Sequence, residues 1–311
     1  MRAIVINEFG ATPESTDMPV PEPGARAVRV HLEAAGVNPF DRKVADGILD
    51  GKLPHDFPLI LGVDGAGTVV ETGPEVTRFA VGDRVVGKFL AGRAGHGSFA
   101  EYSVLPEDAT LVRIPDGIAT MAAAAVPTAG VTAQDLVDAA KIEPDETVLI
   151  VGATGGVGVF LVQLANLAGA HVIATARGAA ADQMLRLGAA ETVDYTRGSV
   201  AEQLADRYPD GIDVLFDLVS PPDRLTELTA VVRDGGTVYS TIGSADAPAL
   251  LDRGIKGGNF ESHGAAPELA RLLRRVSDGD VVIPIESTVP LAQAAAVIDK
   301  PAARGKTVLS I

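Results

Sequence analysis

The stretch Val148-Leu-Ile-Val-Gly-Ala-Thr-Gly-Gly-Val-Gly158 constrains the fold of this chain more than any other. Its four leading apolar residues suit a strand buried on both faces, the usual condition of a parallel sheet. They run straight into glycines and then into a helical segment, Val157–Ala168. A strand that turns on glycine into a helix N-terminus leaves backbone N–H groups free, at the positive end of the helix dipole, to hold a phosphate. Gly155 would let backbone approach a pyrophosphate, and Gly158 would let the helix pack on the strand. The run departs from G-x-G-x-x-G in that Ala153 takes the first glycine position. The competing explanation is a tight turn that serves packing alone.

Strands and helices alternate beyond this point. Strands are expected at Thr147–Val151, His171–Ala174, Thr192–Val193, Val214–Leu218 and Thr237–Thr241. Helices are expected at Ala179–Leu187, Val200–Arg207 and Pro222–Val232. Crossovers of this length imply a parallel sheet covered on both faces, an α/β Rossmann arrangement. The residues before Arg113-Ile-Pro-Asp-Gly117 read differently, as short apolar runs between Pro/Gly turns, hence β-rich. After it come the alanine-rich helical runs Ala119–Val126 and Ala129–Ala140. Near the end, Pro267–Ser277 is an amphipathic helix, with Val281–Ile285 and Thr307–Ile311 as strands. A domain boundary is expected at the Arg113–Gly117 segment, with a β-rich part before it and a nucleotide-binding part after it.

The second strand speaks to the choice of nucleotide. NAD-binding proteins carry an acid about 20 residues past the turn, which accepts from the ribose 2′-hydroxyl. Here no acid occurs between Gly152 and Ala181, and the strand ends Ala174-Thr-Ala-Arg177. A guanidinium there would pair with a 2′-phosphate, which favours NADPH. The alternative for Arg177 is an ordinary solvated loop charge.

Composition narrows the remaining classes. The chain of 311 residues has no cysteine, so disulfides and thiolate metal ligands are excluded. Its five histidines are scattered. A net charge of −15 repels nucleic acid. Met1-Arg-Ala-Ile-Val-Ile-Asn-Glu8 lacks the apolar core of a signal peptide. No uncharged stretch reads as a membrane span, so a cytoplasmic protein is expected.

Several further pieces resemble the medium-chain dehydrogenase/reductase superfamily, in its zinc-independent quinone-oxidoreductase branch. They are Ala35-Gly-Val-Asn-Pro-Phe-Asp-Arg-Lys43, Leu61-Gly-Val-Asp-Gly-Ala-Gly-Thr-Val-Val70, Gly82-Asp-Arg-Val85 and Gly97-Ser-Phe-Ala-Glu-Tyr102. Pro127-Thr-Ala-Gly-Val-Thr-Ala133, Leu187-Gly-Ala-Ala-Glu-Thr-Val-Asp-Tyr195 and Gly305-Lys-Thr-Val-Leu309 complete the series around the glycine turn. The resemblance implies a GroES-like substrate domain over 1–117 and 283–311, an α/β Rossmann domain over 118–282, and a homodimer joined edge to edge through the Rossmann sheets. Zinc members of the superfamily carry Gly-His-Glu where this chain reads Gly62-Val-Asp64, so no metal ligand set is expected.

The implied reaction is hydride transfer from NADPH to a quinone or similar conjugated carbonyl. The resemblance assigns Thr154, Gly155, Gly156, Val157 and Gly158 to the pyrophosphate and Arg177 and Tyr195 to the 2′-phosphate. It assigns Thr241, Ile242 and Gly243 to the nicotinamide end, and Asn38 to a place facing nicotinamide and acceptor. Asn38 equally reads as a helix N-cap before Pro39. Lys43 stands where many relatives carry a tyrosine, either as an oxyanion partner or as a solvated surface lysine. Tyr195 also suits a gap between helix and sheet, and Asp64 and Glu101 read as structural acids. Two other functions are compatible with the same fold: an enal or enone double-bond reductase, and a non-catalytic NADPH-binding protein.

Overall fold

The computed structural model describes residues 1–300 and 304–311. Contacts divide them into two units: 1–131 with 264–300 and 306–311, and 132–263 with 304–305. The sequence reading assigned 118–131 and 264–282 to the nucleotide-binding part. The contacts assign them to the first unit, because the helices there pack on its strands.

In the first unit, β1 (Arg2–Ile6), β2 (Glu14–Asp17), β3 (Ala27–Val37) and β4 (His55–Ile60) are followed by β5 (Asp64–Thr72) and β6 (Arg84–Lys88). Then come β7 (Ala94–His96), β8 (Tyr102–Pro106) and β9 (Leu111–Arg113). Between β3 and β4 lies α1 (Pro39–Ala45), and after β9 come α2 (Thr120–Ala123) and α3 (Pro127–Ala140), which runs on into the second unit. One sheet has the order β2-β1-β4-β7. The interior of β3 alternates buried and exposed side chains at first and is buried throughout its last four residues, where it lies between other strands. Ile4, Ile6, Leu59, Leu61, Phe99 and Leu309 form the main apolar core here.

The second unit is a six-stranded parallel sheet, ordered β12-β11-β10-β13-β14-β15. Its strands are β10 (Thr147–Val151), β11 (His171–Thr175), β12 (Glu191–Val193), β13 (Ile212–Asp217), β14 (Val232–Ser240) and β15 (Lys256–Asn259). The helices are α4 (Gly158–Leu167), α5 (Ala179–Arg186), α6 (Val200–Ala205), α7 (Pro222–Thr229) and α8 (Ala247–Asp252). The chain order reverses beside β10, whose neighbours are β11 and β13, and such a switch point opens a crevice at the C-terminal strand ends. Leu149, Ile173, Leu215 and Val238 fill the sheet's core.

The chain then returns to the first unit through α9 (Ala266–Ser277), β16 (Ile285–Pro290), α10 (Ala294–Val297) and β17 (Lys306–Ser310). β17 pairs antiparallel with β3, so the second sheet reads β16-β17-β3-β5-β6-β9 with β8 also on β3. The strand expected at Val281–Ile285 is displaced to Ile285–Pro290, since Val281 is buried outside the sheet and Val282 is exposed. Part of the expected 283–311 segment, residues 301–303, lies outside the described residues. Among the described residues, no helix is long and apolar enough to cross a membrane.

Candidate nucleotide site and a buried polar cluster

In the second unit the glycine turn does what its sequence demands. Gly152 leaves β10 at φ +84°, a conformation L side chains avoid. A Cβ on Gly158 would lie 2.4 Å from the Ala153 carbonyl oxygen, so only glycine lets α4 start this close. A Cβ on Gly155 would meet nothing nearer than the Gly152 carbonyl at 3.4 Å, which leaves that face of the turn open. The Gly155 N–H closes the turn on the Gly152 carbonyl at 3.1 Å. No acceptor in the described protein takes the N–H groups of Gly156 and Val157. This cradle of free amides beside open space fits a pyrophosphate. Thr154 accepts the Gly305 N–H on its carbonyl at 2.8 Å, tying the turn to the segment before β17.

Thr175, at the end of β11, is buried and its hydroxyl is already used. It accepts from Gly152 N at 3.0 Å and donates to the Ile150 carbonyl at 3.3 Å. Two residues on, Arg177 is exposed, and its guanidinium carbon lies 5.8 Å from the centre of the Tyr195 ring. Tyr195 is half exposed beyond β12. The two residues assigned to the 2′-phosphate thus meet at one surface patch. After β14, the Thr241 N–H reaches the Asp217 carbonyl at 3.1 Å, Ile242 is exposed, and Gly243 turns at φ +83°.

Sequence reasoning missed a brace at this end of the sheet. Asp217 is fully buried and accepts from the Ser220 N–H at 3.0 Å and from the Ser240 hydroxyl at 3.5 Å. Burial raises its carboxyl above the usual carboxylate range, against those hydrogen bonds. The loop it holds carries Val219, whose side chain lies where a Cβ on Gly152 would come within 2.9 Å.

In the first unit, Asn38 and Lys43 fall in different surroundings. Lys43 is exposed on α1, whereas Asn38 is 3% exposed. Asn38 occupies the N-cap position, but the capping carboxylate is that of Asp41, which accepts the Asn38 N–H at 2.7 Å. The Asn38 side chain is committed elsewhere. Its amide nitrogen donates to Asp64 at 3.0 Å and to the Gly36 carbonyl at 3.3 Å. Its amide oxygen accepts from Lys306 at 2.5 Å. Both amide protons expected to face an acceptor are therefore engaged within the protein.

Lys306 is the centre of this cluster, and sequence reasoning gave it no role. Its ammonium is buried, donates also to the Val37 carbonyl at 2.9 Å, and has its pKa lowered by burial. Asp64 accepts from the Thr128 hydroxyl at 2.6 Å and the Thr128 N–H at 2.9 Å. Asp41 accepts from the Val63 N–H at 2.9 Å. Burial pushes the Asp41 carboxyl up to about 7, with the Asp64 charge adding to the rise, while its two backbone donors and Lys306 hold it down. The signal in the sequence was a lysine set between glycine and a Thr-Val-Leu strand, where lysine is seldom buried without a partner.

This donor set does not fit zinc. Val63 offers only a backbone group, already given to Asp41, and three donors occupy the Asp64 carboxylate.

Fold and site together describe a two-unit nucleotide-binding dehydrogenase. Residues 24–116 match the alcohol dehydrogenase GroES-like domain, and residues 156–251 match the zinc-binding dehydrogenase domain. A quinone oxidoreductase of Pseudomonas aeruginosa is 35% identical, over 95% of this chain and 94% of its own. A chloroplast envelope quinone oxidoreductase homolog of Arabidopsis thaliana is 40% identical over 63% of this chain, a match that spans 61% of the relative's length. A solved NAD-dependent alcohol dehydrogenase superposes with a TM-score of 0.88 at 32% identity, covering 100% of both chains. A mycobacterial protein solved with NADPH gives 0.85 at 26% identity, again covering 100% of both chains. The chain belongs to the quinone-oxidoreductase branch of the medium-chain dehydrogenase/reductase superfamily.

Proposed function

We propose that this protein is an NADPH-dependent reductase that delivers hydride to a quinone or a similar conjugated carbonyl without a metal ion. The observation that carries the cofactor choice is the pairing of Arg177 with Tyr195, together with the lack of an acid at the end of β11 to accept from a 2′-hydroxyl. Thr175 offers none either, since its hydroxyl is spent on the glycine turn. Among similar structures one is named NAD-dependent and another holds NADPH, so the choice rests on this chain's own residues.

The bound nicotinamide would supply the hydride. The protein's part is to bind, orient and exclude water. Thr154, Gly155, Gly156, Val157 and Gly158 take the pyrophosphate, and Thr241, Ile242 and Gly243 line the nicotinamide end. Arg177 and Tyr195 take the 2′-phosphate. Asn38 and Lys43 are the residues proposed to serve the acceptor. Asn38 contributes there by fixing the corner between β3 and α1, because a turn toward an acceptor would break its bond to Asp64. With no Lewis acid to polarise an alcohol, acceptors already activated by conjugation are the natural substrates. The same reading includes a cytoplasmic location and a homodimer joined at β15, which has one strand partner in its sheet.

The test is NADPH oxidation against benzoquinone, naphthoquinone, an enal, an enone and a simple aldehyde, with and without exhaustive chelation. Quinones should turn over fastest and chelation should change nothing. Preference for the enal or enone would redirect the proposal to double-bond reduction. Tight NADPH binding without turnover of any acceptor would leave a binding protein.

A further inference from the structure

We propose that Arg197 is a second guanidinium for the adenosine 2′-phosphate, and that Asp194 holds it in reserve as an internal anion until the nucleotide binds. The inference rests on the NADPH reading above and adds the residues that set how strongly the phosphate is preferred.

Asp194 follows β12 directly and precedes Tyr195, the ring beneath the Arg177 guanidinium. One of its carboxylate oxygens, Oδ1, accepts from both the Thr196 N–H at 2.9 Å and the Thr196 hydroxyl at 2.6 Å. The other, Oδ2, faces the Arg197 Nε at 3.5 Å. The Thr196 hydrogen bonds, with the Arg197 and Arg177 charges behind them, hold the Asp194 carboxyl below its usual range. It is therefore an anion across the neutral range, with two guanidinium groups in its field.

The Arg197–Asp194 pair is easily given up. The Arg197 side chain is 81% exposed, and its closest approach to Asp194 is long. Pairs of this kind contribute little in water. A 2′-phosphate carries up to two charges and three acceptor oxygens, and it matches a guanidinium fork that one carboxylate oxygen does not fill. On nucleotide binding, Arg197 exchanges Asp194 for the phosphate. The Asp194 charge then faces a like charge and opposes it. The two neighbours thus act with opposite sign on the same ligand group.

Calorimetric titration of 2′,5′-ADP and 5′-AMP tests this without any turnover. Arg197→Ala should weaken 2′,5′-ADP about two- to fivefold and leave 5′-AMP unchanged, the range of an exposed ion pair. Asp194→Asn keeps the Oδ1 acceptor for Thr196 while removing the charge, so the loop is retained. It should tighten 2′,5′-ADP severalfold, with a smaller gain when Arg197 is already alanine. An unchanged 2′,5′-ADP to 5′-AMP ratio in Arg197→Ala would overturn the assignment. Equal weakening of both ligands in Asp194→Asn would do the same, by making Asp194 a loop support. Failure of the NADPH reading looks different: the wild type would not prefer 2′,5′-ADP, and Arg177→Ala would alter neither ligand.

Discussion

Two clusters, one in each unit, handle charge in opposite ways. In the first, Asp41, Asp64 and Lys306 are buried with Asn38, and every polar group named there meets a partner. In the second, Arg177, Tyr195 and Arg197 stand in water with loose contacts. Desolvating an ion costs several kcal/mol, so a buried cluster persists only when its hydrogen bonds are complete. Exposed charges carry no such cost and remain free to exchange partners. The first arrangement fixes a corner of the fold. The second keeps groups ready for a ligand that comes and goes.

Breaking the buried cluster should give the largest effect. Lys306→Met keeps most of the side-chain volume but leaves two carboxylates and the Asn38 oxygen without their cation. Removing one partner of a buried ionic network typically costs about 3–5 kcal/mol. Arg197→Ala, by contrast, should stay within about 0.5 kcal/mol of wild type. Urea unfolding of both variants measures the contrast. A Lys306→Met cost below about 1 kcal/mol would mean that the cluster is wetter or less coupled than its geometry implies.

The next effect is a pH dependence confined to the buried side. Asp41 has a carboxyl near 7 in the folded protein against an ordinary value of 3.8, so the native state binds the extra proton. The stability this contributes is fully present below about pH 4 and is lost as pH rises through about 7. Each unit of displacement is worth about 1.4 kcal/mol, which makes the whole effect a few kcal/mol at most. Asn at position 41 does not titrate. The stability of Asp41→Asn relative to wild type should therefore improve steadily from pH 4 to 8. Lys306, lowered by burial, acts with the opposite sign, its contribution being lost as pH falls, so it does not mimic this trend. A stability difference flat with pH would mean that Asp41 titrates alike in the folded and unfolded states.

The same contrast explains what the sequence could tell. The parallel sheet was legible because β10, β11 and β13 are short apolar runs bounded by turns, and their burial follows from local composition. β15 was not, because Lys-Gly-Gly-Asn is an edge strand whose membership comes from backbone pairing with β14 alone. α8 was missed because its Asp246 cap and Pro248 read as a turn. The glycine turn and the Arg177–Tyr195 pair announced themselves through local pattern and family likeness. The Lys306–Asn38 bond joins residues 268 positions apart, so no local pattern contains it. Asn38 was correctly read as an N-cap position, but its side chain was drawn away by partners that only the assembled unit supplies.

The smallest expected effect lies on the exposed side and concerns Arg177. Replacing it by alanine should leave stability within about 0.5 kcal/mol, since its side chain is exposed and meets the Tyr195 ring only loosely. NADPH affinity should fall about tenfold, the lower end of a charge-assisted contact worth ~1.5–3 kcal/mol, because the guanidinium is exposed and screened. NADH should bind as before, since it lacks the phosphate that Arg177 meets. The wild-type preference for NADPH should also shrink between low salt and 1 M salt, where the screening length drops to about 3 Å. Titrating both cofactors into wild type and Arg177→Ala at two salt concentrations gives the comparison. Equal weakening of NADPH and NADH would reduce Arg177 to a support for Tyr195 and its loop. A wild type that prefers NADH would show that the exposed patch is no phosphate site at all, and that the second unit holds its charges open for something else.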